Sequence, residues 1–279
     1  MKRSLMLKLL TIITLLSFEL LAKSLEDRIK SYEKHRVNAN PNIQLKKLNL
    51  EFKKDLIDGW SGYLFKISLK YQGKDINTTD IIFSNGKLIT SDLKNLKGFD
   101  FKKLMYPKLD DRYYDDSRRI AGNKNAKHKL VIFSDPLCPN CTYDLPRIYK
   151  DVQANKDKFA LYYVSLPLDR LHPTVRTLIK ASYIAKQQGI KDVKYKLYTA
   201  NFERFFDPYE EKDNQKALDA FNKVFKTKIT MAQIDDPKLN KKLEYDIKLS
   251  EEAYIQGTPT LFLDGDVDLT RSKYKQLIK

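Results

Sequence analysis

The sequence predicts an α/β domain preceded by a small α+β domain, and three patterns support this prediction. Residues 43–92 alternate apolar with polar side chains, which is typical of a half-buried antiparallel sheet. Apolar runs at 129–133 and 159–164 predict buried strands, and a further strand follows at 260–263. Between them, residues 173–255 carry apolar side chains at helical spacing, which predicts an inserted helical subdomain.

The composition excludes several classes of protein. The 279 residues are 42% hydrophobic and 11% aromatic, so the chain can bury a core, and its length favours two domains. The 2 cysteines exclude a disulfide-stapled scaffold and a four-thiolate metal site. The net charge of +16 suggests nucleic acid or an anionic surface as a partner.

The first residues change the interpretation of that charge. Basic residues within 2–8 precede an apolar run at 9–18, which predicts a secretory signal peptide, 1–22, cleaved after Ala22. An uncleaved anchor is the alternative, because Leu20 occupies a position where cleavage sites favour a small residue. An exported chain rarely meets nucleic acid, so we interpret the charge as a lysine-rich solvated surface.

The predicted N-terminal domain, 23–93, combines a helix with an antiparallel sheet. Ser24 is placed to cap a helix over 24–37. Alternation at 63–71 predicts a strand, and Ser84-Asn85-Gly86 between two apolar segments predicts a hairpin. A sheet of this size is marginal as an isolated monomer, so we expect this domain to mediate dimerisation.

Residues 94–126 are rich in charge and hold the pairs Asp110-Asp111, Asp115-Asp116 and Arg118-Arg119. We interpret this segment as a solvated, partly helical linker. The second domain, 127–279, follows it, and we expect its last residues, 270–278, to form a closing helix.

Both cysteines lie in one motif, Cys138-Pro139-Asn140-Cys141, between the strand at 129–133 and a predicted helix at 142–152. A cysteine at a helix N-terminus meets the positive end of the helix dipole, which lowers the pKa of its thiol. Pro139 suits the first helical position, since its missing N–H has no helical partner there. We therefore expect Cys138 to be the exposed attacking thiolate and Cys141 the shielded, resolving thiol.

Other roles for the two cysteines fit less well. A disulfide across two residues closes a very small loop and constrains the unfolded chain little. A zinc site needs two more ligands, and His35, His128 and His172 lack the paired spacing of such sites. We expect no metal and no cofactor.

A second motif, Thr258-Pro259, stands directly before the strand at 260–263. Proline cannot donate to a sheet ladder, so this position marks a strand edge or a special turn. If the Thr258–Pro259 bond is cis, nearby backbone groups can pair with an extended peptide.

The segment Asp135-Pro136-Leu137-Cys138-Pro139-Asn140-Cys141, with Thr258-Pro259 downstream, resembles the thioredoxin-fold catalytic domain of the DsbC/DsbG family of periplasmic thiol:disulfide interchange proteins. The resemblance implies a thioredoxin fold with an inserted helical subdomain, preceded by a dimerisation domain, in a soluble periplasmic homodimer. It implies that Cys138 is the nucleophile and Cys141 its partner, and that Thr258 and cis-Pro259 face the substrate peptide. Its implied partners are unfolded or misfolded exported proteins with cysteines, and a membrane reductase or oxidase that recycles the dithiol.

Two residues favour an isomerase or reductase within this resemblance. Asn140 stands where strongly oxidising relatives carry a histidine, and it can donate a hydrogen bond but carries no charge. Thr258 rather than valine precedes the proline, as in isomerase-like members of the family.

Two further residues have alternative roles. Asp135 could modulate proton transfer at Cys138, or could serve the turn with Pro136. His172 could border the active face, or could be a partly exposed residue at a helix start with Pro173 in the first helical position.

Two functional alternatives stay open. A monomeric DsbA-like oxidase shares the catalytic domain but gives residues 24–92 no purpose. A non-catalytic periplasmic chaperone would use a cleft to hold unfolded clients without chemistry at Cys138.

Overall fold

The computed structural model describes residues 24–278, which form two compact units that divide between Met105 and Tyr106. The predicted signal peptide, 1–22, lies outside the described residues. None of the described helices is long and apolar enough to cross a membrane.

The first unit is a helix with a four-stranded antiparallel sheet, as predicted. It consists of helix α1 (Leu25–Asn38) and strands β1 (Ile43–Asp55), β2 (Ser61–Tyr71), β3 (Lys74–Ser84) and β4 (Ile89–Thr90), in the sheet order β1-β2-β3-β4. The Ser24 hydroxyl accepts a hydrogen bond from the Asp27 N–H, so the predicted cap is confirmed. The hairpin is confirmed too, since Ser84 pairs with Ile89.

The predicted linker is less solvated than its charge suggested. A 3₁₀ helix, Phe101–Met105, buries the side chains of both its end residues. A Cβ built on Gly62 would lie only 2.4 Å from the Met105 sulfur, so Met105 packs directly on β2.

The remainder of that segment belongs to the second unit. Residues Asp111–Tyr114 and Asp116–Arg118 form 3₁₀ turns, and β5 (Arg119–Gly122) pairs antiparallel with a central strand. The buried Tyr113 hydroxyl donates to the Leu249 carbonyl at 2.8 Å. The sequence did not predict this strand, because its four residues show no clear apolar alternation.

The second unit is a five-stranded sheet with helices on both faces. Its strands are β5, β6 (His128–Ser134), β7 (Phe159–Ser165), β8 (Thr260–Leu263) and β9 (Asp266–Asp268), in the order β5-β7-β6-β8-β9. Its helices are α2 (Pro139–Ala154), α3 (Val175–Gln187), α4 (Val193–Thr199), α5 (Asn214–Phe225), α6 (Met231–Ile234) and α7 (Pro237–Glu252). Strand β6 is parallel to β7 and antiparallel to β8.

The apolar run of β6 is continuous because both of its faces are buried. Leu130 and Ile132 belong to the core cluster beneath α2 and α3, and Val131 and Phe133 belong to the cluster beneath α7. The predicted closing helix is shorter than expected: only Lys273–Leu277 is helical, as a 3₁₀ turn. The buried Asp268 carboxylate accepts from the N–H groups of Thr270 and Lys273, which holds the preceding residues in a loop.

Candidate active site

The register of two antiparallel strands brings the two sequence motifs together. Phe133 near the end of β6 lies opposite Thr260 at the start of β8. The chain after β6 and the chain before β8 therefore meet at one edge of the sheet. There the Cys138 sulfur lies 3.6 Å from the Thr258 carbonyl oxygen, to which the thiol donates a hydrogen bond.

Cys138 is the N-cap of α2, and Pro139 occupies the first helical position as predicted. The Cys138 carbonyl accepts from the N–H groups of Cys141 at 2.9 Å and Thr142 at 3.0 Å. Its own N–H donates to the Asp135 carbonyl at 3.2 Å. These bonds fix the backbone of the motif on both sides of the first sulfur.

The two cysteines are free thiols in contrasting environments. Cys138 is 7% exposed and Cys141 is fully buried, so the first sulfur is less exposed than the sequence suggested. A hydrogen bond from the Cys141 thiol lowers the pKa of Cys138 to about 6, with a further contribution from Thr258. Burial raises the pKa of Cys141 far above its ordinary value, and the neighbouring Cys138 adds to this effect.

Thr258 and Pro259 complete the edge opposite the cysteines. The bond between them is cis, as the resemblance implies, and Pro259 is buried while Thr258 is partly exposed. The Thr258 hydroxyl is buried without a hydrogen-bond partner among the described residues. Its nearness to the two thiols contributes to lowering the pKa of each.

The two residues between the cysteines face outward. Pro139 and Asn140 are both exposed, and Tyr143 beside them has 73% of its surface exposed. The Arg147 guanidinium lies 5.9 Å from the centre of the Tyr143 ring. These residues give the protein an exposed surface next to the recessed Cys138 sulfur.

Asp135 is a fully buried carboxylate that holds the turn between β6 and α2. It accepts from the Leu137 N–H and the Leu168 N–H, each at 2.7 Å. The His172 Nδ1 lies 3.1 Å from the same carboxylate. The structure therefore favours the role of Asp135 in the turn, and Asp135 adds only a small contribution that raises the pKa of Cys138.

His172 differs from its expected position. It is 1% exposed rather than partly exposed, and its Nε2 is buried without a partner among the described residues. Helix α3 begins at Val175 after the N-cap Thr174, so Pro173 is not its first residue. The contact of Nδ1 with the Asp135 carboxylate gives the buried imidazole a polar partner, and only the fold brings these two distant residues together.

Two tyrosines behind the cysteines escaped the sequence analysis. The Tyr163 hydroxyl donates to the Ser134 carbonyl at 3.2 Å and lies 2.9 Å from the Tyr198 hydroxyl. Burial raises the pKa of Tyr198, and the nearby Cys141 contributes to that shift. Their apolar neighbours in sequence gave them the pattern of ordinary core residues, so no local signal distinguished them.

Within residues 24–278, no group of three or more histidine, cysteine, aspartate or glutamate side chains is placed to hold a metal ion.

A family model described as Thioredoxin matches residues 115–279, which is more than half of the chain. The chain belongs to this thioredoxin family. Family membership and the dithiol geometry together support thiol–disulfide exchange as the chemistry of the site. The match begins after the first unit, so the assignment to the DsbC/DsbG family stays a prediction.

Several solved structures are similar to part of the chain. BdbD from Bacillus subtilis is 22% identical with a TM-score of 0.48, and the match covers 62% of this chain and 95% of BdbD. ScsC from Proteus mirabilis, in a compact conformation, is 23% identical with a TM-score of 0.44, over 57% of this chain and 74% of its own. The thiol-disulfide exchange protein α-DsbA2 from Wolbachia pipientis is 19% identical with a TM-score of 0.44, and the match covers 60% of this chain and 90% of α-DsbA2. No curated protein matches the chain in sequence.

Proposed function

We propose that the protein is an exported, homodimeric thiol:disulfide isomerase that rearranges or reduces non-native disulfides in other exported proteins. The observation that carries this proposal is the asymmetry of the dithiol. Cys138 has a pKa of about 6 and is partly accessible, while Cys141 is fully buried with a raised pKa. Such a pair provides one thiolate nucleophile at neutral pH and one thiol that stays protonated until the mixed disulfide has formed.

The reaction starts with the Cys138 thiolate. It attacks one sulfur of a client disulfide, so a bond forms between Cys138 and that sulfur while the other client sulfur leaves as a thiolate. In isomerisation, the released thiolate attacks another client disulfide, and a client thiolate finally displaces Cys138. The enzyme then returns to its starting dithiol with no net change in oxidation state.

Cys141 allows the protein to reduce the client disulfide instead of rearranging it. If no client thiolate displaces Cys138, Cys141 loses its proton and attacks the Cys138 sulfur. The client leaves reduced, and the protein leaves with a Cys138–Cys141 disulfide. Burial raises the pKa of Cys141, which slows release of the client and leaves time for rearrangement within the mixed disulfide.

We place the binding site for the client chain at the backbone around Thr258. Its carbonyl oxygen lies 3.6 Å from the Cys138 sulfur, so a peptide paired with this backbone would place its own cysteine near the nucleophile. Exposed Tyr143 offers an apolar ring for neighbouring client side chains.

The wider assignment follows from the family resemblance and the signal sequence. We propose cleavage after Ala22, a periplasmic location, dimerisation through the first unit and recycling by a membrane redox partner. The separate compact unit that ends at Met105 supports a role beyond the thioredoxin-like unit.

Refolding of scrambled, fully oxidised ribonuclease tests the proposal. The protein should restore ribonuclease activity, and Cys138→Ala should abolish this effect. Cys141→Ala should retain rearrangement but accumulate mixed disulfides with the client, because the escape step is lost. Unchanged refolding by Cys138→Ala would contradict the proposal, because the rearrangement would then not depend on this thiol.

A DsbA-like oxidase is the second candidate, and the low pKa of Cys138 favours it. A thiol with a low pKa stabilises the reduced enzyme, which makes the corresponding disulfide a stronger oxidant. Rapid oxidation of reduced ribonuclease by the Cys138–Cys141 disulfide, without rearrangement of the scrambled form, would establish the oxidase instead.

A further inference from the structure

A basic cavity of about 300 Å³ lies in the second unit, and none of its lining residues belongs to the dithiol motif. Basic side chains reach it from the turn before β5 and from helices α3, α4 and α7, and two tyrosine rings form part of its wall: Arg118, Lys186, Lys194, Lys242, Tyr163 and Tyr183.

The acidic residues of the cavity are already engaged. The Asp246 carboxylate is paired with Arg118 and accepts from the Ser165 N–H at 3.0 Å and the Tyr183 hydroxyl at 3.1 Å. Asp192 accepts from the Tyr149 hydroxyl at 2.6 Å. Neither carboxylate forms an ion pair with a lysine of the cavity among the described residues.

The lysines instead have neutral partners. The Lys194 ammonium donates to the Ser182 hydroxyl at 2.9 Å, and the Lys186 ammonium donates to the Ser117 carbonyl at 2.9 Å. Lys194 lies 4.2 Å from the centre of the Tyr163 ring, and Lys242 lies 4.3 Å from that of Tyr183. These contacts position the ammonium groups but neutralise none of their charge.

The ammonium groups also repel one another. Burial and the charges of Lys242 and Lys186 together lower the pKa of Lys194 to about 7, against the opposing effect of Asp246. A group of like charges around a concave surface concentrates counter-ions there. An anion would relieve this repulsion and accept the remaining ammonium hydrogen bonds.

We propose that this cavity binds a small multivalent anion that carries phosphate or carboxylate groups. Lysines bind such groups as point charges, without the planar fork of arginine that selects one geometry. The cavity has the size of a small ligand site, and Ile120 and Ile190 add apolar walls that suit an organic ligand.

Titration calorimetry on the reduced mature protein at low salt tests this site, with pyrophosphate and citrate as the two probes. At least one probe should bind with a Kd below about 1 mM. At pH 6, below the pKa of Lys194, Lys194→Gln and Lys242→Gln should each weaken binding about tenfold or more, because each removes a charged hydrogen-bond donor.

Lys196→Gln and Lys241→Gln are matched controls, since they remove the same charge from exposed positions of α4 and α7 outside the cavity. Both should keep the Kd within about twofold, as expected for screened surface charges. Binding of pyrophosphate alone identifies phosphate groups, binding of citrate alone identifies carboxylates, and binding of both indicates recognition by charge; each supports the site.

Absence of binding by both probes, or equal weakening by the control variants, would overturn the proposal. If Lys194→Gln unfolds, Lys242→Gln carries the test, because Lys242 is exposed on the surface of α7.

Discussion

The pKa values of Cys138 and Cys141 are shifted in opposite directions although the two residues lie one helical turn apart. The thiol of Cys141 donates its hydrogen bond toward Cys138, which stabilises the negative charge on the first sulfur. The same interaction disfavours a charge on the second sulfur, which burial already opposes. One negative charge is therefore shared unequally, and the accessible sulfur holds it.

The alkylation rate of Cys138 should report this shift. A lowered pKa means that the thiolate fraction grows as pH rises through about 6, so reaction with iodoacetamide should reach half its maximum there. An ordinary thiol reaches that point at about 8.5. Thr258→Val should move the midpoint upward because it removes the hydroxyl that favours the thiolate.

Mass spectrometry of the alkylated peptide separates Cys138 from Cys141, which should stay unmodified over the same pH range. A midpoint at pH 8 or above in the unaltered protein would contradict the assigned asymmetry.

Gly122 is a second residue whose role depends on its backbone. It has φ of +74° at the end of β5, and a Cβ there would lie 2.0 Å from the Phe159 carbonyl oxygen. Gly122→Ala should lower the free energy of unfolding by about 2–5 kcal/mol, from left-handed backbone strain and the clash with a strand. Denaturant unfolding measures this loss.

Gly189 provides the control for that substitution. Its φ is +83°, but among the described residues no atom beyond its two chain neighbours lies within 4 Å of an added Cβ. Gly189→Ala should cost only about 1–2 kcal/mol, the strain alone. Equal losses at the two glycines would show that the contact with Phe159 has no role.

At the scale of elements, the connection from β6 to α2 sets the position of the Cys138 sulfur. Asp135 ties this connection to Leu168 after β7 and to His172 before α3, so three segments meet at one carboxylate. The turn keeps its shape because each donor has a buried acceptor.

Asp135→Asn should therefore destabilise the protein. The amide keeps one acceptor oxygen but replaces the other with an NH₂ group, which leaves a buried N–H facing a donor. We expect a loss of about 1–3 kcal/mol in the free energy of unfolding, measured by denaturant titration of the reduced protein.

The alkylation midpoint of Cys138 should move only slightly in this variant, and downward, since Asp135 makes a small contribution that raises that pKa. A large upward movement would instead assign Asp135 a direct role in proton transfer at Cys138.

Elements with local signals were predictable from the sequence. Ser24 caps α1 and Pro139 begins α2 because capping depends on residues a few positions apart. The Ser84–Ile89 hairpin follows from its turn residues in the same way.

Elements that depend on distant partners were not predictable. Strand β5 is stabilised by its pairing with β7, and the 3₁₀ turn that ends at Met105 is stabilised by packing on β2. The pairing of Asp135 with His172 spans 37 positions of sequence. In each case the stabilising partner is absent from the local pattern, so composition alone favoured a solvated or helix-starting role.

On the scale of the whole molecule, two units with separate cores share one chain. The core of the first unit is built from α1 and its sheet, and the second unit contains both clusters around β6. The dithiol lies entirely in the second unit, and the proposed dimer contact lies in the first.

This division predicts different behaviour for the full mature chain and for a fragment of residues 106–279. The full chain should sediment as a dimer and the fragment as a monomer with unchanged Cys138 alkylation. Rearrangement of scrambled ribonuclease by the fragment should fall about tenfold or more, because it loses the local concentration that a second site provides.

Circular dichroism should first establish that the fragment is folded. A monomeric full chain, or a fragment that rearranges scrambled ribonuclease at the full rate, would contradict the proposed dimer function.

The small exposed area of Cys138 has a consequence for the choice of clients. With 7% of the residue exposed, its sulfur lies below the surface formed by Pro139, Asn140 and Tyr143. A disulfide held in a rigid, well-packed protein cannot enter such a recess, whereas one in a slack, extended segment can. Under the proposed function, mobile disulfides would therefore react with Cys138 faster than the fixed disulfides of a folded protein.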